Sequence, residues 1–502
     1  MTLSSAFSII NSAFASNAAQ SAIISSNISN ANTPGYAREI ANVLTNSYGG
    51  SDVASVTREA NSALLEQVNA STSQAASAQA LANGLTTLAQ TVSDSASSSS
   101  TSGSTQNGNS PSAMLANLQD ALTTYEASPS DASAGQAVVT AASDLASSLN
   151  SGAATVQQVR EQADSGMASA VSTINSLLNQ FSQVDGTIVS GLATGANVSS
   201  AEDTRDTILT QLSQQIGISA VANPNGSTSI YTDSGVTLYQ SGVVNSLSFT
   251  PTATYTASTT GNAVTVDGVA ITGASSPMPI QSGALAGLTD LRDTVAPEYQ
   301  AQLDQLAGGL VNAFAESDQS TTTPGLPSLP GLFTYSGATS LPATTDMTGL
   351  AASIEVNPAV DPSQGGDVSL LQNGGINGSN YTYNTTDSAG YTGRIQQMIG
   401  ATTATQSFDP SAGLGSSDSL SDYANASVSW LQAQNQQASN QADYQNSLVT
   451  QATGALSNAT GVSLDTEMTN MLNIENTYTT TAKLLTTVND MFSSLLAAVR
   501  PA

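Results

Sequence analysis

The sequence predicts a mainly helical, elongated, multi-domain chain with an inserted β region, and three observations carry that prediction. Apolar residues recur at alternating three- and four-residue steps near both ends of the chain. Between the ends, near Ile216, the apolar period drops from helical spacing to the alternation of a half-buried strand. The composition agrees: 39% of residues are hydrophobic but only 5% aromatic, and small apolar side chains suit long helices packed closely side by side.

From the N-terminus, Phe7, Ile10, Phe14, Ile24 and Ile28 follow the steps 7, 10, 14, 17, 21, 24, 28, with Asn17 and Ser21 making the centre of the seam polar. Thr33-Pro34-Gly35 stops this helix, because proline disfavours helix at the residue before it and glycine permits positive φ. Residues 1–60 are therefore read as a helix followed by an extended segment. Leu64, Leu65, Val68, Leu81, Leu85 and Leu88 restart the helical pattern. Leu115, Leu118, Leu122, Val156, Val159, Val171, Ile174, Leu177, Leu178 and Phe181 continue it, so 61–215 reads as a helical rod, with three or four long helices after residue 113. A Ser/Thr/Gly/Asn tract over 93–112 interrupts the rod; it lacks the apolar residues to bury a core and is expected to be a loop.

Residues 216–282 read as an outer β-rich insertion. Asn223-Pro224-Asn225-Gly226 turns one hairpin, and Asp267-Gly268, flanked by Val264, Val266, Val269 and Ile271, turns a second. Helix returns over 283–319, the Pro- and Gly-rich stretch 320–415 reads as loops with short strands, and 416–460 returns to rod helix. In the last unit, 461–502, Leu464, Met468, Met471, Tyr478, Ala482, Leu485, Phe492, Leu496 and Val499 sit on four- and three-residue steps, with Glu475 and Asn489 as polar exceptions. Neither end helix is apolar enough to stand alone in water, so the two are expected to pair into a coiled-coil-like end domain. On pattern alone, two unrelated amphipathic helices on a globular body is the alternative.

Composition removes whole mechanistic classes. With no His and no Cys, thiolate and imidazole metal sites, disulfides and Ser-His-Asp chemistry are impossible. Eight Lys+Arg against 36 Asp+Glu, a net charge of −28, argues against nucleic acid and anionic membrane surfaces as partners. No apolar run is long enough to span a bilayer, and Met1–Phe7 lacks the basic and apolar regions of a cleaved signal peptide. Enzymatic readings must use carboxylates alone. Glu202/Asp203 and Asp361/Asp367 are the pairs to weigh for glycoside hydrolysis, but the single Trp430 offers little sugar platform. Asp361-Pro-Ser-Gln-Gly-Gly-Asp367 lacks the spacing of a calcium loop. No catalytic, cofactor or metal site is therefore expected.

Three stretches go beyond pattern. Asn27-Ile28-Ser29-Asn30-Ala31-Asn32-Thr33-Pro34-Gly35-Tyr36-Ala37-Arg38 resembles the N-terminal signature of the bacterial flagellar rod, hook and hook-associated proteins. Gly461-Val462-Ser463-Leu464-Asp465-Thr466-Glu467-Met468, with Tyr478, Ala482, Lys483, Leu485, Asn489 and Leu495, is similar to the C-terminal helix of that axial family. Arg205-Asp206, leading into Asn225-Gly226-Ser227 and Ile230-Tyr231, resembles the middle of its hook-associated members, as does 128–188. Departures are local, such as Thr479-Thr480-Thr481 where the family is richer in Ala.

The resemblance implies a structural adaptor, not an enzyme. Such a chain is exported without a cleaved signal peptide through the flagellar type III apparatus and assembles outside the cell at the hook tip, as the hook–filament junction. Its implied partners are further copies in a ring, hook protein, hook-associated protein 3 and through it flagellin, and an export chaperone. The implied packing and assembly residues are Phe7, Ile10, Phe14, Ile24, Ile28, Asn32, Gly35, Tyr36 and Arg38 at one end, and Leu464, Met468, Met471, Tyr478, Leu485, Asn489, Phe492 and Leu496 at the other. For Arg205 and Asp206 a local ion pair is the expectation. Hook protein is the alternative within the resemblance, and a secreted adhesin or surface-layer protein is the alternative that composition leaves open.

Overall fold

The computed structural model describes residues 3–47, 49–94, 108–320 and 325–499. Most of the Ser-rich tract (95–107), the Val499 side chain and Arg500-Pro501-Ala502 lie outside the described residues. Helix α1 (Leu3–Asn30) is followed by β1 (Glu39–Thr45) and β2 (Ser51–Arg58), an antiparallel ribbon with a register shift between Asn42 and Val43. The segment expected to be merely extended is thus a two-stranded hairpin. Next comes α2 (Ser62–Ala89), whose first turn is capped by the Asn61 side chain accepting the Leu64 N–H. Helix α3 (Pro111–Ala127) starts on a Ser110 cap with proline in its first turn, where no N–H is needed.

Helix α4 (Ala132–Thr194) runs 63 residues, from an Asp131 cap to Gly195 in the left-handed conformation, a length of about 95 Å at the usual rise. Its neighbour α5 (Ser199–Gln215) leads into the β region. There β3 (Ile218–Ala222), β4 (Thr228–Thr232), β5 (Thr237–Gln240) and β6 (Val243–Val244) form an antiparallel sheet in sequential order. A smaller sheet holds β7 (Leu247–Ser248), β8 (Thr265–Val266) and β9 (Val269–Ala270). Both expected hairpins are present. Asp267 and Gly268 take φ of 48° and 78°, the positive pair that matches a tight turn to strand twist.

Helix α6 (Ala284–Asp290), a π-helical turn at Leu291–Val295 and α7 (Ala296–Ala313) run end to end. In 325–419, β10 (Phe333–Tyr335) pairs with β11 (Ile354–Val356), then α8 (Leu370–Asn373) and α9 (Gly393–Thr403) precede β12 (Thr405–Ser407), which pairs with β13 (Ser417–Ser419). This stretch holds more helix than expected, since α9 is 11 residues long and buries Ile395 and Met398. The chain closes with α10 (Leu420–Thr460) and α11 (Leu464–Val499).

Two apolar cores divide the molecule along α4. The first gathers α2, α3, the N-terminal part of α4 to Ala163, α7, α10 and apolar residues of the 332–408 stretch such as Phe333, Leu350, Ile354 and Phe408. The second takes α4 from Met167 onward, α5, α6 and the β region through Ile230, Leu238, Val264 and Val266. Each fully buried leucine, such as Leu118, Leu149 or Leu310, contributes about 1.5–3 kcal/mol. The β region therefore shares a core with the rod instead of hanging from it.

Candidate assembly interface

The signature string folds into a knot at the end of α1. Gly35 takes φ of +81°, and a Cβ there would lie 2.9 Å from Thr207 Oγ1 on α5, so both backbone and space demand glycine. After that turn the chain doubles back on α1. Asn27, 1% exposed, accepts the Tyr36 hydroxyl and the Glu39 N–H on Oδ1, both at 2.9 Å. Its amide donates to the Glu39 carbonyl at 2.9 Å and to Glu467 Oε2 at 3.2 Å. Asn27 thus joins the end of α1, the start of β1 and the first turn of α11 within one side chain.

Arg38 completes the joint. Its Nε lies 2.7 Å from Glu467 Oε1, its Nη1 reaches Glu59 at 3.4 Å, and its backbone N–H donates to the Thr460 carbonyl at the end of α10. The Glu467 hydrogen bond holds the Arg38 pKa above its ordinary value, and burial raises that of Tyr36. Glu467 is 1% exposed; a carboxylate buried this deeply requires the partners it has.

A second clamp lies at the end of β2. Arg58 spreads its guanidinium over Glu202 (3.0 Å), Asp203 (2.9 Å) and Asp206 (2.6 Å), fastening the ribbon to α5. Burial works against the charge on Arg58, but the three carboxylates prevail and raise its pKa; burial raises that of Asp203 in spite of Arg58. Arg205 touches Asp206 only at 3.8 Å and donates to the Gly226 carbonyl at 3.2 Å. The main partner of Asp206 is therefore Arg58, not its sequence neighbour. The carboxylates weighed for acid–base chemistry are committed elsewhere: Glu202 and Asp203 to Arg58, Asp361 and Asp367 to the N–H groups of Ser363 and Ser369. An open cleft of about 1560 Å³ lies between this knot, α5, β3 and the α10–α11 turn. Arg58 and Arg205, the cations on its wall, are both engaged as described.

Beyond the knot, α1 and α11 run antiparallel. Asn27 meets Glu467, Ser21 Oγ lies 3.6 Å from Met471 Sδ, and the Phe14 and Tyr478 rings meet edge to face at 5.0 Å. Ile10 and Ile24 are buried; Phe14, Ile28, Tyr36, Arg38, Met471 and Leu485 are half-buried. The remaining expected packing residues are exposed within this chain: Phe7, Asn32, Gly35, Leu464, Met468, Tyr478, Asn489, Phe492 and Leu496. Geometry explains the division. Extending the antiparallel register sets Leu3 opposite Asn489, so Phe492 and Leu496 project past the described start of α1. Met468 and Leu472 lie a fraction of a turn around from Met471 and face away from the seam, and Leu464, the first residue of α11, is exposed at the helix end.

Asn27, Glu467 and Arg58 are the contributors that the sequence reading missed. The usable signal was the scarcity of cations: with eight Lys+Arg in the chain, an arginine inside a signature string points to a buried acid.

Two families match parts of this chain: the one described as "Flagellar hook-associated protein FlgK helical domain", over residues 103–323, and "Flagellar basal body rod FlgEFG protein C-terminal", over 452–498. Flagellar hook-associated protein 1 of Escherichia coli (strain K12) is 25% identical over 324 residues, 61% of this chain and 56% of that protein. Its Salmonella typhimurium counterpart is 25% identical over 321 residues, with the same shares covered. The match thus spans little more than half the length of these curated relatives. Among solved structures, the flagellar hook junction protein FlgK from Burkholderia pseudomallei aligns with a TM-score of 0.41 and 23% identity, over 54% of this chain and 46% of that one.

Proposed function

We propose that the chain belongs to the flagellar hook-associated family, whose helical-domain model matches residues 103–323, and that it is a structural adaptor that assembles at the hook tip to form the hook–filament junction. The family is a structural one of the flagellum, and among the described residues no helix is long and apolar enough to cross a membrane. The observation that carries the reading is the paired terminal helices. They are fixed to the body by the Asn27–Arg38–Glu467 knot, yet leave Phe7, Met468, Leu472, Leu484, Met491, Phe492, Leu495 and Leu496 between 44% and 60% exposed. Exposed apolar side chains in such number at one end of the molecule mark an interaction surface.

In this reading further copies of the chain cover these side chains in a ring. Hook protein lies on one side, hook-associated protein 3 and then flagellin lie on the other, and an export chaperone binds before passage out of the cell. The units 1–60 and 461–502 form the inner end domain. The helical segments 61–215, 283–319 and 416–460 form the rod, with 216–282 and 320–415 packed on it. Phe7, Asn32, Gly35, Leu464, Met468, Tyr478, Asn489, Phe492 and Leu496 are the residues assigned to contacts between subunits.

Deleting the gene in a motile host tests this. Hooks without filaments, with filament protein shed into the medium, are the expected result under electron microscopy. Normal filaments would overturn the reading in favour of a secreted adhesin, and loss of the hook would indicate hook protein.

A further inference from the structure

All the cations except Arg500 lie among the described residues, and the arginines there are internal fasteners. Arg38 holds Glu467 and Glu59, Arg58 holds three carboxylates, and Arg292 holds Asp164 and Asp293. Arg160, Arg205 and Arg394 donate to the carbonyls of Thr256, Gly226 and Ala315. Among the described residues Lys483 is the one cation with neither ion pair nor hydrogen bond, and it is exposed on α11.

Its own helix cannot supply a partner. The residues three and four positions away on either side are Thr479, Thr480, Thr486 and Thr487, which are the positions a lysine reaches on a helix surface. The nearest carboxylates along α11, Glu475 and Asp490, lie eight and seven residues off, roughly 12 and 10 Å along the axis. They are exposed and equally unpartnered. The neighbouring α1 contains no charged residue at all. Lys483 also sits next to Leu484, one of the exposed apolar residues of α11 along with Met491 and Leu495.

We propose that Lys483 pairs with Glu475 or Asp490 on α11 of a second copy, shifted by about two helical turns, and so sets the axial register in which the exposed apolar side chains meet. The proposal rests on the self-assembly reading above and adds the contact that fixes its offset. Charge complementarity favours a second copy as the occupant, because the same exposed stretch of α11 presents both the unpaired cation, Lys483, and the unpaired acids, Glu475 and Asp490, two turns to either side of it. Apolar contacts alone allow sliding by whole turns; an ion pair among them favours the offsets of about two turns that bring Lys483 to Glu475 or to Asp490, and the charge swaps tell which of the two is used.

The test is sedimentation velocity of the purified full-length chain at low salt across a concentration series. The variants are Lys483→Glu, Lys483→Arg, and Lys483→Glu combined with Glu475→Lys or with Asp490→Lys, each with circular dichroism to confirm unchanged helix content. The expected result is self-association weakened about ten-fold by Lys483→Glu, retained by Lys483→Arg, and restored by one of the two charge swaps. Oligomers that tolerate Lys483→Glu, or a loss that neither swap restores, would overturn the pairing alone. A chain that stays monomeric at every concentration would overturn both the pairing and the self-assembly reading.

Discussion

Arg58 contacts three acids at once, an arrangement lysine cannot reproduce, because only a planar guanidinium presents donors in several fixed directions. The other buried arginines follow the same logic, Arg394 by donating to the Phe314 and Ala315 carbonyls at the end of α7 and Arg160 by holding the loop at Thr256. Asp304 on α7 is the opposite case, a buried carboxylate with no cation. It accepts the Gly349 and Ala351 N–H groups at 2.8 Å and the Gln300 amide at 3.0 Å. Burial outweighs those hydrogen bonds and raises its pKa from 3.8 to about 6. With the folded value above the unfolded one, the folded chain binds the extra proton between these two pH values. The stability gained on acidification is lost as pH rises through the folded pKa. From pH 5 to pH 7 this group should cost about 1.4 kcal/mol. Urea midpoints at the two pH values, compared with those of Asp304→Asn, should show a steeper loss in the unmodified chain; parallel profiles would mean that Asp304 is charged throughout.

Elements in this chain are positioned as much by small residues as by large ones. Helix α6 rests on α2 so closely that a Cβ on Gly287 would collide with the Ser77 carbonyl, whereas Gly186, exposed on α4, has nothing within 4 Å of an added Cβ. Gly287→Ala should therefore destabilise by about 2 kcal/mol, and Gly186→Ala should stabilise by about 0.5–1 kcal/mol through helix propensity. Thermal melts of the two variants should move in opposite directions, and an unchanged Gly287→Ala would show that α6 can shift. The same contrast explains which elements the sequence disclosed. The terminal helices and the Asp267-Gly268 hairpin were legible because their apolar spacing and turn residues are local signals. The β1–β2 ribbon was not, because the bulge after Asn42 breaks its alternation and Ile40, Val43 and Leu44 are exposed. Helix α9 was missed because Ile395, Met398 and Ile399 form too short a pattern. At the knot, Tyr36 and Arg38 were legible from their string. The roles of Asn27 and Glu467 were not, although both stand in the quoted strings: Asn27 meets Tyr36 and Glu39 only because the chain doubles back after Gly35, and one segment says nothing of which distant carboxylate will fold onto it.

At the scale of the molecule, α4 runs through both cores, and the joint beside it is ionic. Arg292 in the π-helical turn is fully buried, 2.7 Å from Asp164 on α4 and 2.8 Å from Asp293, and donates to the Asn262 carbonyl. Asp164 in turn accepts the Thr252 N–H and the Tyr255 hydroxyl, at 2.7 and 2.8 Å. Arg160 donates to the carbonyls of Arg292, Thr256 and Thr259. One network thus ties the 250–262 loops of the β region to the rod where the first core ends and the second begins. Removing one member of a buried pair costs about 3–5 kcal/mol, because the other charge stays buried without its partner. That loss should fall mainly on the β region and the second core, which the network fastens to the rod; the π-helical turn also places Leu291 and Val295 in the first core, but α3 and the later part of α7 are held there by contacts that do not involve Arg292. In Arg292→Met, hydrogen exchange should accelerate at the amides of β4, β5 and α5 while those of α3 and of α7 beyond Leu303 keep their protection. Uniform acceleration across both cores would show instead that the long helix makes them one cooperative unit.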